Sequence, residues 1–170
     1  MADIRACTEN DLERLQALSV ATFRATFEAD NNPDDLRAYI DRALNLKKLA
    51  SELQKAGSTF YFLEEDKALI GYLKLNLSPD QSDINDPESL EIERIYVDQI
   101  YHGKGFGKIL FDFAVAKAHE NGLKYIWLGV WEKNFKAIDF YYKQGFVKFD
   151  EHRFKLGTDN QVDYLLRLDL

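Results

Sequence analysis

Covalent staples are absent from this sequence. It has a single cysteine, Cys7, so no internal disulfide can form. Three prolines and nine glycines in 170 residues exclude a collagenous or Pro/Gly-rich low-complexity chain. No apolar run approaches the roughly 20 residues that a membrane span needs; the longest is Ile126–Trp131. The N-terminus, Met1-Ala2-Asp3-Ile4-Arg5, lacks the basic-then-apolar pattern of a signal peptide. Together these absences predict a cytoplasmic protein with no membrane partner. A dense Lys/Arg block is missing too: 22 basic against 29 acidic residues leave a net charge of −7. That balance speaks against nucleic-acid binding, which needs a basic footprint. A negative field instead draws in cationic ligands, although it also serves solubility.

What is present is an ordinary globular composition, 46 % hydrophobic and 30 % charged, in a length that suits one domain over residues 1–170. Asp3–Ala6 reads as a short strand. Thr8 with Asp11 makes an approximate capping box for a helix carrying Leu12, Leu15, Leu18 and Phe23. Asn32-Pro33 supplies an N-cap and first-turn proline for a second helix, and Leu46–Ala56 predicts a third, stopped by Gly57. Thr59–Glu64 and Ala68–Leu77 read as a hairpin around Glu65-Asp66-Lys67, followed by a polar loop over Ser78–Ser89. The second half alternates: strand Leu90–Val97, helix Gly105–Asn121, strand Tyr125–Val130, helix Phe135–Lys143, then a hairpin of Val147–Phe154 and Val162–Leu168. The pattern predicts an α/β fold with a mixed sheet and antiparallel hairpins at either side.

The most informative segment is Leu90–Val97 followed by His102-Gly103-Lys104-Gly105-Phe106-Gly107-Lys108 and an amphipathic helix. Glycines between a strand and a helix let the backbone aim successive N–H groups at one point, with the positive end of the helix dipole behind them. That is a site for a pyrophosphate. A P-loop is excluded because Ile109, not Ser or Thr, follows Lys108. A dinucleotide fingerprint is excluded because the spacing is Gly103-x-Gly105-x-Gly107. His102, His119 and His152 have no carboxylate or thiol at metal-ligand spacing, so no metal is expected.

This loop resembles the coenzyme A loop of the GCN5-related N-acetyltransferase superfamily, Q/R-x-x-G-x-G/A. Asn134-x-x-Ala137-Ile138-x-Phe140-Tyr141-x-Lys143-x-Gly145-Phe146 is similar to the family's second signature. More narrowly, Glu91–Tyr96 and Ile126–Glu132 resemble the bacterial PaiA-type spermidine/spermine N-acetyltransferases. The resemblance implies a single-domain fold with a mostly antiparallel central sheet, flanking helices and splayed strands forming an acetyl-CoA cleft. It implies acetyl-CoA as cosubstrate and a homodimer as a possible state. Ile95, Tyr96 and Val97 would lie along the pantetheine arm, with main-chain groups of Ile95 and Val97 offered to it. His102, Gly103, Lys104, Gly105, Phe106, Gly107 and Lys108 would surround the pyrophosphate, with Asn134, Tyr141 and Lys143 completing the coenzyme site. His102 departs from the family's Gln or Arg.

A protonated amine must lose a proton before it attacks a thioester, and a nearby carboxylate can accept it. Glu93 is the candidate base; strand alternation puts it on one face with Glu91, Ile95 and Val97, opposite Ile92 and Arg94. The departing thiolate needs a proton, and Tyr141 fits that role, while Tyr142 points about 100° away around the helix. Cys7 is read as a buried small side chain. Glu28 and Asp30, between the first two helices, together with Glu91, are the candidate carboxylates for a small cationic amine such as a polyamine. The alternatives are another amine (a protein N-terminus, an amino acid, an aminoglycoside or a xenobiotic) or a coenzyme-binding regulatory module without turnover.

Overall fold

Seven strands form one sheet in the computed structural model, which describes residues 1–170. In chain order they are β1 (Asp3–Ala6), β2 (Ser58–Glu65), β3 (Ala68–Asn76), β4 (Ser89–Val97), β5 (Tyr125–Trp131), β6 (Val147–Leu156) and β7 (Asp159–Asp169). Their spatial order is β1-β2-β3-β4-β5-β7-β6, and every pairing is antiparallel except β4 with β5. The helices are α1 (Leu12–Phe27), α2 (Pro33–Ala43), α3 (Leu46–Leu53), α4 (Phe106–Glu120) and α5 (Phe135–Lys143). The expected mixed α/β sheet is therefore present.

Local signals act as anticipated at the first two helices. Thr8 caps the turn that leads into α1, and Asp11 returns the favour by accepting from the Thr8 N–H at 2.8 Å, so the shorter acid closes the capping box. Asn32 Oδ1 accepts from the N–H groups of Asp34 and Asp35, with Pro33 in the first turn of α2. The third helix stops at Leu53, before the predicted Ala56. Gly57 has a different task. Its N–H donates to Asp80 Oδ2 at 2.8 Å, and a Cβ there would stand 2.6 Å from that oxygen.

Two layers of core form on the two faces of the sheet. Leu15, Leu18, Leu36, Ile40 and Leu49 of α1–α3 pack on Phe60, Phe62 and Tyr72. On the opposite face Leu110, Phe111, Ala114 and Ala118 of α4, with Ile138 and Tyr141 of α5, pack on Leu73, Leu75, Leu90, Ile92, Ile126 and Leu128. Cys7 is half-buried beside the first of these layers, and burial pushes its thiol up to about 12.

The feature that positions the site is the junction of β4 and β5. They pair only at Ser89–Tyr125, Leu90–Ile126 and Glu91–Trp127, then diverge. Beyond that fork each strand keeps its outer neighbour but has an open inner edge. At the same point β4 carries a bulge. Leu75 pairs with Ile92 and Lys74 with Arg94, so Glu93 is the extra residue. The bulge overturns the expectation from strict alternation. Glu93 shares its face with Glu91 and Arg94, whereas Ile95 and Val97 turn to the α4 side.

Four charges hold the bulge in place. Lys74 Nζ lies 2.6 Å from Glu52 of α3 and 2.7 Å from Glu93, while Arg94 reaches both carboxylates at 3.5 Å. Two acids and two bases cancel, and Lys74 is only 3 % exposed. Removing one partner of such a buried set leaves a charge uncompensated, which typically costs about 3–5 kcal/mol. Lys74→Met is therefore expected to destabilise the fold by about that amount in denaturant unfolding. Lys124→Met, which removes an exposed pair with Glu88, should leave stability essentially unchanged. Equal effects from the two would show that the buried quartet does not hold the fork.

Candidate active site

The fork opens into a cavity of about 960 Å³ that runs from the glycine loop to the C-terminal hairpin. Its two sides are the inner edges of β4 and β5. Of the expected coenzyme residues, Ile95, Tyr96, Val97, His102, Gly103, Gly105, Phe106, Gly107, Lys108, Asn134 and Tyr141 line it, and so do Glu91 and Glu93. Lys104 and Lys143 do not. Lys104 reaches out over the Tyr101 ring, 5.7 Å from its centre, and Lys143 pairs with Asp139 one turn back on the outer side of α5. Glu28 and Asp30 also stand outside, on an exposed turn after α1 whose inward residue is Phe27.

At one end the cavity meets the N-terminus of α4. Gly105 occupies the cap position in a left-handed conformation, with φ of 84°, and offers no side chain. The N–H groups of Phe106, Gly107 and Lys108 donate to no carbonyl in the chain, and the first turn contains no acidic residue. Gly103, at φ of 77°, completes a loop in which a Cβ at position 103, 105 or 107 would meet nothing within 4 Å. Free donors, an open face and the positive end of a helix dipole suit a phosphate group. His102 contributes mainly by fixing this loop. Its Nε2–H donates to the Val97 carbonyl at 2.7 Å, which ties the loop to the end of β4.

Midway along the cavity sits Tyr141 on α5, 7 % exposed and packed between Phe140 and Phe146. Burial alone pushes its phenol well above the ordinary value, so it keeps its proton at neutral pH. Tyr142 is 45 % exposed and lies off the cavity, as the helical rotation requires. Asn134 caps α5 by accepting from the Ala137 N–H, and its position beside β5 brings it to the same wall.

The opposite face of the fork is acidic and aromatic. Glu91, buried at 2 %, accepts from Asn76 and from both donors of Ser82, so it fastens the loop after β3; burial pushes its carboxyl up from the usual range. Glu93 accepts from Lys74 and from Asn76, and despite its burial the Arg94 and Lys74 charges hold its carboxyl below the usual range. Asp83 pairs with His152. Asp163 of β7 stands across from Trp131 and forms no ion pair; burial pushes its carboxyl up to about 6, against a smaller pull from His152. Phe23 and Phe27 of α1, Tyr39 of α2 and Trp131 of β5 complete the wall.

The sequence reading did not single out Asp83, Asp163, Lys74 or Glu52. Lys74 carries a signal, a lone charge inside an apolar strand, in Tyr72-Leu73-Lys74-Leu75; Asp163 carries a weaker one, since its strand also holds Arg167. Glu52 sits among apolar positions of a short amphipathic helix, where an exposed acid would look the same.

Comparisons with known proteins agree with this geometry. Residues 13–146 match the sequence model of the acetyltransferase (GNAT) family. The "uncharacterized N-acetyltransferase in pepI 3′ region" of Lactobacillus delbrueckii subsp. lactis is 44 % identical over 160 residues, covering 94 % of this chain and 92 % of its own. The spermidine N(1)-acetyltransferase of Thermoplasma acidophilum is 25 % identical over 148 residues, covering 85 % and 87 %. Among solved structures, the PaiA N-acetyltransferase of Thermoplasma acidophilum, in complex with coenzyme A, shares the fold with a TM-score of 0.82 at 22 % identity, over 100 % of this chain and 99 % of that one. A sequence match across both halves of the fork, joined to a shared fold, places the chain in the acetyltransferase (GNAT) family as an N-acetyltransferase that uses acetyl-CoA.

Proposed function

We propose that the chain acetylates a primary amine on a small polycation, a polyamine such as spermidine, by direct attack of the amine on the thioester. The observation that carries this reading is the polarity of the cavity. One end offers free N–H groups to an anion, and the opposite wall carries Asp83, Glu91, Glu93 and Asp163 among aromatic rings, with Asp163 alone left unpaired by the chain. Cationic amines are drawn to such a wall by charge and by the ring faces. The spermidine acetyltransferase among the relatives, though only 25 % identical, supports the same choice.

Acetyl-CoA supplies the acyl group as a thioester. The chain supplies orientation first, which can remove roughly 7–11 kcal/mol of barrier when reactants are well aligned. The loop from Gly103 to Lys108 and the open edge of β4 at Ile95 and Val97 would hold the coenzyme. Glu93 serves as the proton acceptor through water. Its carboxylate is stabilised by Lys74, Asn76 and Arg94, so it remains charged and polarises a water without retaining the proton tightly. Tyr141 remains a protonated phenol and donates to the leaving sulfur. No covalent enzyme intermediate is needed, and Cys7 lies outside the cavity.

Tyr141→Phe is expected to lower kcat by about 10²-fold or more with little change in acetyl-CoA binding, measured by thiol release and by a separate coenzyme titration. Unchanged turnover would remove Tyr141 from the chemistry. A carboxyl held below the usual range loses its charge only as pH falls through that lowered value. Near-neutral pH dependence of kcat/KM should therefore rise with pH through deprotonation of the amine, with no further limb from Glu93; a Glu93→Gln variant that shifts the neutral limb would contradict this. Offered spermidine, spermine, an N-terminal peptide and an aminoglycoside separately, the protein should release thiol fastest with the polyamines. Release with another amine alone would keep the transferase and discard the polyamine.

A further inference from the structure

Among the carboxylates of the cavity, Asp163 alone has no partner in the chain. Glu91 is held by Asn76 and Ser82, Glu93 by Lys74 and Asn76, and Asp83 by His152. No cation around Asp163 pairs with it, although the Lys133 ammonium lies over the neighbouring Trp131 ring, 6.0 Å from its centre. His152 of β6 lies opposite it in the sheet but is engaged by Asp83, and Tyr39 of α2 is uncharged. Arg94 of β4 is committed to Glu52 and Glu93. A half-buried carboxylate without a cation is costly, and it persists where a ligand supplies the charge.

The surroundings suit an ammonium. Trp131 stands across the strand pair from Asp163, and the Phe27 ring lies 5.3 Å from that indole, so an aromatic surface adjoins the carboxylate. Gln161, two residues earlier on the same strand, lines the cavity, and its Oε1 has no donor. Gly129 of β5 leaves the approach open; a Cβ on it would stand 3.7 Å from Asp163 Oδ2. Position along the sheet separates this place from the reacting centre. Trp127 is the last β5 residue paired with β4, and Asp163 pairs with Trp131, four residues on, or about 13 Å at the usual rise per residue.

We infer that Asp163 receives a second ammonium of the acceptor, one that is not acetylated, and so selects extended polyamines over monoamines. This rests on the polyamine reading given above. The reacting nitrogen sits at the fork with Glu93 and Tyr141, the chain of the acceptor runs along β5 past Gly129, and its distal charge meets Asp163. The raised carboxyl, pushed up to about 6 by burial, is consistent with a group that gains stability when a cation arrives.

The test compares wild type, Asp163→Asn and Asp163→Glu on spermidine and on a monoamine with an uncharged chain of matching length, all with acetyl-CoA. Asp163→Asn should lose roughly tenfold or more in kcat/KM for spermidine, carried by KM, with less than about threefold change for the monoamine. Asp163→Glu should recover part of that loss. The Asn variant should melt no lower than wild type, because an unpaired carboxylate whose folded pKa is raised opposes folding above that pKa. An equal loss on both amines, or a loss confined to kcat, would overturn the inference, and so would no loss on spermidine. Failure of the polyamine reading shows separately, in the wild type itself, as preference for the monoamine. In that case an unchanged ratio between the two amines in Asp163→Asn would also overturn the inference.

Discussion

Everything in the site depends on two adjacent strands that pair for three residues and then part. A sheet interior normally leaves no backbone donor or acceptor unpaired. Beyond Glu91 and Trp127 the inner edges of β4 and β5 are left open, so the fold carries a gap that suits an extended ligand chain. The sheet around the gap is packed on both faces: α4 and α5 lie on one through Leu110, Ile138 and Tyr141, and α1–α3 lie on the other through Leu15, Leu36 and Leu49, which cover Phe60 and Phe62 of β2 and Tyr72 of β3. The bulge at Glu93 sits at the parting point, and the Glu52–Lys74–Glu93–Arg94 quartet fixes which way its side chain turns.

That arrangement divides the charges of the cavity by task. Glu93 belongs to the quartet and Glu91 to the loop after β3, where Asn76 touches both carboxylates at 2.8 and 3.0 Å. The chain spends most of its cavity acids on its own architecture. Counting acidic residues along the sequence therefore overstates what is available to a ligand. Glu28 and Asp30 illustrate the point from the other direction, since they are free of partners but face away from the cavity.

Much of the fold is legible in the sequence because its signals are local. Thr8 with Asp11, Asn32 with Pro33, and the glycine-bearing loop before α4 each act within a few residues, and each appears where expected. Sheet composition and the two terminal hairpins followed from periodicity and turn chemistry. The site was less legible where it depends on register. A bulge inserts one residue and reverses every later inside–outside assignment on the strand, and nothing in Glu91-Ile92-Glu93-Arg94 marks it. Asp163 is near Gly129 only because β5 and β7 pair across a long interval of sequence. Such contacts are tertiary, and an acid between Val162 and Tyr164 is their only trace in the sequence.

A chain of net charge −7 must nevertheless hold a polyanionic coenzyme, and the structure resolves this without a basic patch. Lys108 pairs with Asp112 and Lys104 leans over Tyr101, so neither lysine is aimed into the cavity as a bare cation. On the reading proposed above, the anion is met by backbone N–H groups and the dipole of α4, whose influence decays within about a turn, with Lys136 the one lysine that lines the cavity without an ion-pair partner. That short range lets the same cavity keep an acidic wall a few residues away. On the polyamine reading, several lysines around the phosphates would have weakened, through their longer-ranged charge, the attraction of Asp163 for a polycation. Neutral donors at one end and unpaired acid at the other are, on that reading, what allows two ligands of opposite charge to meet at one fork.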